Sequence, residues 1–188
     1  MSRLGLFGGT FDPPHLGHLI IAQAIYENTP LDRVCFIPSA HPPHKGDDVM
    51  FPADTRYRMT NAALEGYDSF EISDCELKRE GPSYTVDTIQ YFRSLHPHDD
   101  LYFIVGRDNL KELRTWRDPG KIIEMCKILV ADRTGCPEVS IPAWLEGHVI
   151  FVDTPLIEIS STDIRTRIRE RKTITHLVPE PVRMLIES

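Results

Sequence analysis

Residues 8–18 read Gly-Gly-Thr-Phe-Asp-Pro-Pro-His-Leu-Gly-His, and no other stretch restricts the fold of this chain so tightly. An apolar run, Leu4-Gly5-Leu6-Phe7, precedes it, and a helix-patterned run from Leu19 to Glu27 follows. That is the pattern of a strand–turn–helix unit, whose turn is where open α/β sheets bind ligands. Gly8 and Gly9 let the backbone come close to a ligand and take φ values that other residues avoid. Pro13 and Pro14 stiffen the loop and hold off a helix until His15. His15 and His18 then share a face at the positive end of that helix. Backbone N–H groups, a partial positive charge and two imidazoles converge on one small volume, which suits a phosphate. A zinc pair is a competing reading, but no third His or Cys stands nearby in a supporting pattern. A dinucleotide fingerprint needs G-x-G-x-x-G, and glycines at 5, 8 and 9 have the wrong spacing. A purely structural loop does not explain such crowding of histidine, glycine and proline.

The 188 residues are expected to form one domain, residues 1–188, large enough to bury a core without staples. Hydrophobic content of 41% with 26% charged residues is ordinary for a soluble globular chain. The net charge of −7 argues against binding a nucleic-acid polymer. Cysteines at 35, 75, 126 and 136 form no C-x-x-C pair, and the expectation is reduced thiols, with Cys35 and Cys126 in apolar strand-like runs. The Gly8–His18 stretch interrupts any N-terminal apolar leader, and no apolar run approaches the roughly 20 residues that span a bilayer. A cytoplasmic protein without a membrane partner is expected.

Along the chain, apolar runs predict strands at Arg3–Phe7, Arg33–Ile37, Phe70–Ile72, Leu101–Val105, Lys127–Ala131 and His148–Val152. Helices are predicted at Leu16–Asn28, from an Asp54 N-cap to Glu65, from Ser83 to about Leu95, from about Thr162 to Arg171, and at Pro179–Glu187. Alternation of this kind predicts a doubly wound, Rossmann-like parallel α/β sheet with helices on both faces. Residues 38–53 form a long proline-rich loop, in which Pro42-Pro43-His44-Lys45 sets a cation on a stiff arm. Ser and Thr around the first turn after Ser83 leave hydroxyls and N–H groups for an anion, or simply cap the helix. Asp108, just past the fourth of these longer strands, has two acceptor oxygens suited to ribose hydroxyls. Trp116 has charged neighbours and a ring wide enough to stack on a ligand, or it packs on the core. Trp144 reads as packing. Arg165 falls in a first helical turn, where a cation opposes the dipole, and so is expected to answer to a ligand.

GGTFDPPHLGH resembles the signature of the HxGH nucleotidyltransferase superfamily, and within it that of the bacterial nicotinate-nucleotide adenylyltransferases. Pro42-Pro43-His44-Lys45, Ser83-Tyr84-Thr85-Val86-Asp87-Thr88, Gly106-Arg107-Asp108, Thr115-Trp116 and Ile159-Ser160-Ser161-Thr162-Asp163-Ile164-Arg165 resemble further family motifs in family order. The resemblance implies that ATP and nicotinate mononucleotide are joined into nicotinate adenine dinucleotide, releasing pyrophosphate, in NAD biosynthesis. It implies catalytic roles for His15, His18, Lys45 and Arg165 around the phosphates. Gly8, Gly9, Thr10, Phe11, Gly106, Asp108, Ser161 and Thr162 would contact nucleotide, and Tyr84, Thr85 and Trp116 would form the pyridine pocket. Mg²⁺ is expected to arrive with ATP, held by phosphates and water, with no dedicated protein site. Arg107 replaces a residue that is often small in the family, leaving open a phosphate contact or a solvent-facing side chain.

The mononucleotide phosphate is already an anion, so direct in-line transfer needs neither a general base nor a covalent intermediate. Two rival readings stay open on sequence. A phosphopantetheine adenylyltransferase usually has Thr in place of the first motif histidine. A nucleotide sensor often loses a motif histidine or the S-S-T-x-x-R segment.

Overall fold

The computed structural model describes residues 1–42, 49–133 and 141–188. Lys45 and Cys136 lie outside the described residues. In chain order the elements are β1 (Arg3–Gly9), α1 (Leu16–Asn28), β2 (Arg33–Pro38), α2 (Ala53–Ala63), β3 (Phe70–Ile72), α3 (Thr85–Leu95) and β4 (Asp100–Gly106). There follow α4 (Arg107–Glu112), α5 (Pro119–Met125), β5 (Lys127–Arg133), β6 (Val149–Thr154), α6 (Ser161–Arg169) and α7 (Glu180–Glu187). Short 3₁₀ turns cover Leu113–Thr115 and Ala143–Leu145.

The six strands of the described residues run parallel in the order β3-β2-β1-β4-β5-β6. The Rossmann-like expectation holds. Strand order reverses between β1 and β4, so the crevice for a ligand opens beyond Gly9 and Gly106, where those two strands end.

Side chains of β4 alternate between two cores, as strand geometry requires. Leu101, Phe103 and Val105 join Ile89 and Phe92 of α3 and Ile122 of α5 on one face. Tyr102 and Ile104 join Leu19, Ala22 and Ile25 of α1 on the other. Both faces are therefore covered, and the middle strands are apolar throughout, as a buried parallel sheet demands. A third cluster holds Met59 and Ala63 of α2 against Ile164 of α6, Val182 of α7, Ile174 and Val178. This cluster brings the C-terminal segment back against the first half of the chain. The backbone N–H of Leu16, the first residue of α1, also donates to the carbonyl of Leu177 at 3.0 Å.

Several predicted boundaries shift. β1 runs through Gly8 and Gly9, which pair with Ile37 and Pro38, so the glycines end a strand and do not form the turn. Neither has positive φ; that conformation falls on Phe11, at 48°. α2 is capped at Pro52, not Asp54. α3 begins at Thr85 because the Ser83 hydroxyl is engaged elsewhere, accepting from the N–H groups of Ala40 and His41 at 3.1 and 3.2 Å. α6 begins at Ser161 and ends at Arg169, before a left-handed Arg171. Cys126 ends α5, one residue before β5. Cys35, Cys75 and Cys126 are free and buried, and burial pushes the Cys126 thiol up to about 12. Trp144 packs against the core, and no helix of the described residues is long and apolar enough to cross a membrane.

Met59 is fully buried where α2, α6 and α7 meet. Met59→Ala is expected to lower unfolding free energy by about 2–5 kcal/mol. Urea titration should show a lower midpoint with an unchanged slope; an unchanged midpoint would mean the cluster contributes little.

Candidate active site

The loop between β1 and α1 is held by a buried carboxylate. Asp12 is 1% exposed. Its carboxylate accepts the backbone N–H groups of Met50 and Phe51 at 2.8 and 2.9 Å, and lies 3.7 Å from Arg165 Nη1. The same guanidinium donates to the Asp12 carbonyl at 3.1 Å and to Thr162 Oγ1 at 3.3 Å, while the Ser161 hydroxyl donates to the Pro13 carbonyl at 2.9 Å. The start of α6 is thereby fastened to the loop over a sequence distance of some 150 residues. Arg165 was expected to extend to a ligand. Its side chain is buried, and these bonds hold the loop.

A second arginine, not identified from sequence, completes the clamp. Arg56 of α2 is 1% exposed and donates to three carbonyls: Phe51 at 3.0 Å, Thr10 at 2.6 Å and Ala40 at 3.2 Å. It ties the β1 loop to both described ends of the 38–53 segment. A buried guanidinium with its donors satisfied by carbonyls is the arrangement that burial of a charge requires. Nothing in the pattern around Arg56 distinguished it from a solvated helical arginine.

Gly9 and Phe11 explain one another. The Phe11 ring lies under Gly9, where a Cβ would stand 2.9 Å from its Cζ. The ring also meets Phe7 and Phe36 with centroids 5.7 Å away, and His18 at 4.9 Å. Phe11 contributes a buried side chain, and its left-handed backbone turns the chain sharply after the strand. Such strain in a bulky residue is kept where the surroundings over-determine it.

His15 is the N-cap of α1 and His18 its third residue, and their rings stack with centroids 3.6 Å apart. The His15 backbone N–H donates to His18 Nδ1 at 3.1 Å. A nitrogen that accepts carries no proton, so Nε2 of the neutral His18 ring is its donor. His15 is 6% exposed, and burial pulls its pKa down to about 4. Gly17 makes room for that ring: a Cβ there would sit 3.0 Å from His15 Nδ1.

A cavity of about 310 Å³ lies beside the β1–β4 switch point. Gly8, Gly9 and Thr10 line it together with Tyr84, Thr85 and Trp116. Trp116 is half-buried, edge-on to Phe103 at 6.0 Å, so packing and lining coexist. Ser39, Glu76, Asn109 and Arg117 also line it and were not singled out from sequence. Arg117 lies over the Tyr84 ring at 4.8 Å. Gly106 and Asp108 line a separate cavity of about 250 Å³, with Ile21, Ala131, Thr154 and Ile157. Arg107 turns to Asp132 on β5, at 2.6 Å, which answers the question left by sequence with an ion pair. Thr162 is exposed. Among the described residues no group of three or more His, Cys, Asp or Glu could hold a metal ion.

The family model of cytidylyltransferase-like proteins matches residues 6–167. A protein of Clostridium novyi (strain NT) described as a probable nicotinate-nucleotide adenylyltransferase is 40% identical over 195 residues, covering 100% of this chain and 98% of its own. A Thermomicrobium roseum protein of the same description is 43% identical over 186 residues, covering 95% of this chain and 86% of its own. In fold, the chain is similar to Plasmodium falciparum nicotinic acid mononucleotide adenylyltransferase complexed with NaAD. That likeness has a TM-score of 0.82 at 16% identity, covering 100% of this chain and 95% of the other.

The unfolded chain binds a proton on His15 near pH 6.5, the folded chain only near pH 4. Between those values the unfolded state holds more protons, so acid favours unfolding. The contribution, about 3 kcal/mol, is fully present above pH 6.5 and is lost progressively as pH falls towards 4. An NMR titration of the His15 ring in the ligand-free protein should give a midpoint well below 6.5; one at or above it would contradict the burial argument.

Proposed function

Because the chain belongs to the cytidylyltransferase-like family, among the nicotinate-nucleotide adenylyltransferases of NAD biosynthesis, we propose a division of labour between its two cavities and the histidine loop. The observation that carries it is the 310 Å³ cavity, whose lining brings the glycines at the end of β1 together with Tyr84, Thr85 and Trp116. In this reading the pyridine ring of nicotinate mononucleotide lies against Trp116. Its carboxylate faces the first turn of α3, where the N–H groups of a helix start have no partner within the helix. Arg117, at the rim, adds a positive charge. ATP lies beyond β4, its ribose facing Asp108 in the smaller cavity.

The two phosphates then meet over the β1 loop. An oxygen of the mononucleotide phosphate attacks the α-phosphorus of ATP, the bond to the bridging oxygen breaks, and pyrophosphate departs with the electron pair. His18 donates through Nε2 to the phosphate oxygens that gain charge in the transition state, and His15 stacks behind it as a second donor. Lys45, outside the described residues, is assigned to the triphosphate, together with the start of α6 at Ser161 and Thr162. Arg165 acts through Asp12 as a positioning residue. Mg²⁺ would arrive with the nucleotide, held by its phosphates and by water, and would supply neutralising charge there; the carboxylate of Asp12 is committed to two N–H groups and Arg165.

Incubation with Mg-ATP and nicotinate mononucleotide should release pyrophosphate and form the dinucleotide. Release with phosphopantetheine instead, or binding without turnover, would overturn the assignment. His18→Ala should lower kcat/KM by about 10²–10³-fold in a folded protein, the scale for one preorganised donor.

Trp116→Ala should raise KM for the mononucleotide far more than KM for ATP. Equal effects on both substrates would move the pyridine ring elsewhere.

A further inference from the structure

One carboxyl group lies on the wall of the 310 Å³ cavity with half of its hydrogen-bonding capacity unused. Glu76 is 6% exposed. Its Oε1 accepts from the Thr88 hydroxyl at 2.6 Å, whereas its buried Oε2 has no hydrogen-bond partner among the described residues. Ser39, on the same cavity, also has a buried hydroxyl without a partner among the described residues. Two unpartnered polar atoms on one cavity are uncommon in a folded protein and point to a polar group of a ligand.

We propose that Glu76 is a specificity-determining residue, whose carboxyl takes up a proton when a ring carboxylate enters the cavity and stays unprotonated when a carboxamide enters. The proposal rests on the pyridine pocket described above. Two carboxylates sharing a small, partly dry volume cannot both stay ionised cheaply. The proton goes to the one that is buried, and a protonated Glu76 gains an O–H donor for the incoming anion. Burial already holds the Glu76 pKa above the ordinary carboxylate value, against the opposing influence of Thr88, Ser83, Arg79 and Arg56. Of these, Arg79 on its own loop stands 3.9 Å from Oε1, and Arg56 is committed to three carbonyls. Cys75 beside it is a buried thiol with its own pKa raised, and so adds no charge. A carboxamide makes no such demand, since its NH₂ can donate to an ionised Glu76.

Calorimetric binding of nicotinate mononucleotide and of nicotinamide mononucleotide, each in buffers of different ionisation enthalpy, counts the protons taken up. Both ligands carry the same phosphate, so their difference isolates the ring substituent. The wild-type protein should take up more protons with the acid, approaching one. Its acid-over-amide affinity ratio should fall as pH rises, by up to about tenfold per pH unit. In Glu76→Gln that difference should vanish and the ratio should become independent of pH, which a merely structural role would not produce. Equal uptake for the two ligands in the wild type overturns the role of Glu76, and that comparison stands even if the variant does not fold. So does an unchanged difference in Glu76→Gln. Absence of saturable binding and of turnover with the acid overturns the pocket itself, and the proposal with it.

Discussion

The carboxylate of Asp12 is the point at which three distant segments become one site. Its two oxygens take up the N–H groups of Met50 and Phe51, and the guanidinium of Arg165 closes the third side. A buried carboxylate left without such partners would cost several kcal/mol, so the loop after β1, the end of the 38–53 segment and α6 are obliged to meet. Arg56 repeats the logic with the charge reversed, satisfying carbonyls of Thr10, Ala40 and Phe51 from the far side. Between them the two groups fix the loop's path, Asp12 as an acceptor and Arg56 as a donor.

That division explains why the loop tolerates an aromatic residue in a left-handed conformation. Phe11 gives up backbone comfort, and in return its ring fills the space beneath Gly9 and braces His18. The bracing has a chemical consequence. His18 is held from one side by Phe11, from another by the His15 ring, and at Nδ1 by the His15 N–H. Its tautomer and orientation are settled by packing before any substrate arrives, which is the condition under which a single donor contributes most to a transition state.

The parts of this arrangement that sequence made legible are those with a local signature. The apolar runs gave the strands their positions, and their alternation with helical patterns gave the parallel sheet, because both periodicities act over a few residues. The loop was legible because Gly, Pro and His each restrict or enable a particular local event. Its internal assignment was not: sequence put the special backbone on the glycines, and tertiary packing moved it to Phe11. Arg165 was noticed because a cation in a first helical turn is out of place, yet its partner is an aspartate 153 residues away, which no spacing rule can reach. Arg56, Glu76 and Arg117 left no local trace at all. Their roles come from what α2, the β3–α3 connection and the α4–α5 connection bring beside the switch point.

A site for two anionic substrates built in this way is economical in positive charge. The two buried arginines are spent on holding the loop, and His15 is kept neutral by burial. Among the described residues, the polar lining of the larger cavity includes the hydroxyls of Thr10, Ser39, Ser83, Tyr84 and Thr85, with Arg117 as its cation. A contact that binds the ground-state triphosphate as well as the transition state does nothing for the rate once substrate is bound. A donor fixed at the position that charge reaches in the transition state does more. On the proposed reading, then, the burial that neutralises His15 belongs with the burial of Asp12: the buried charges fix the backbone, and the cations left for the substrates are Arg117 and Lys45.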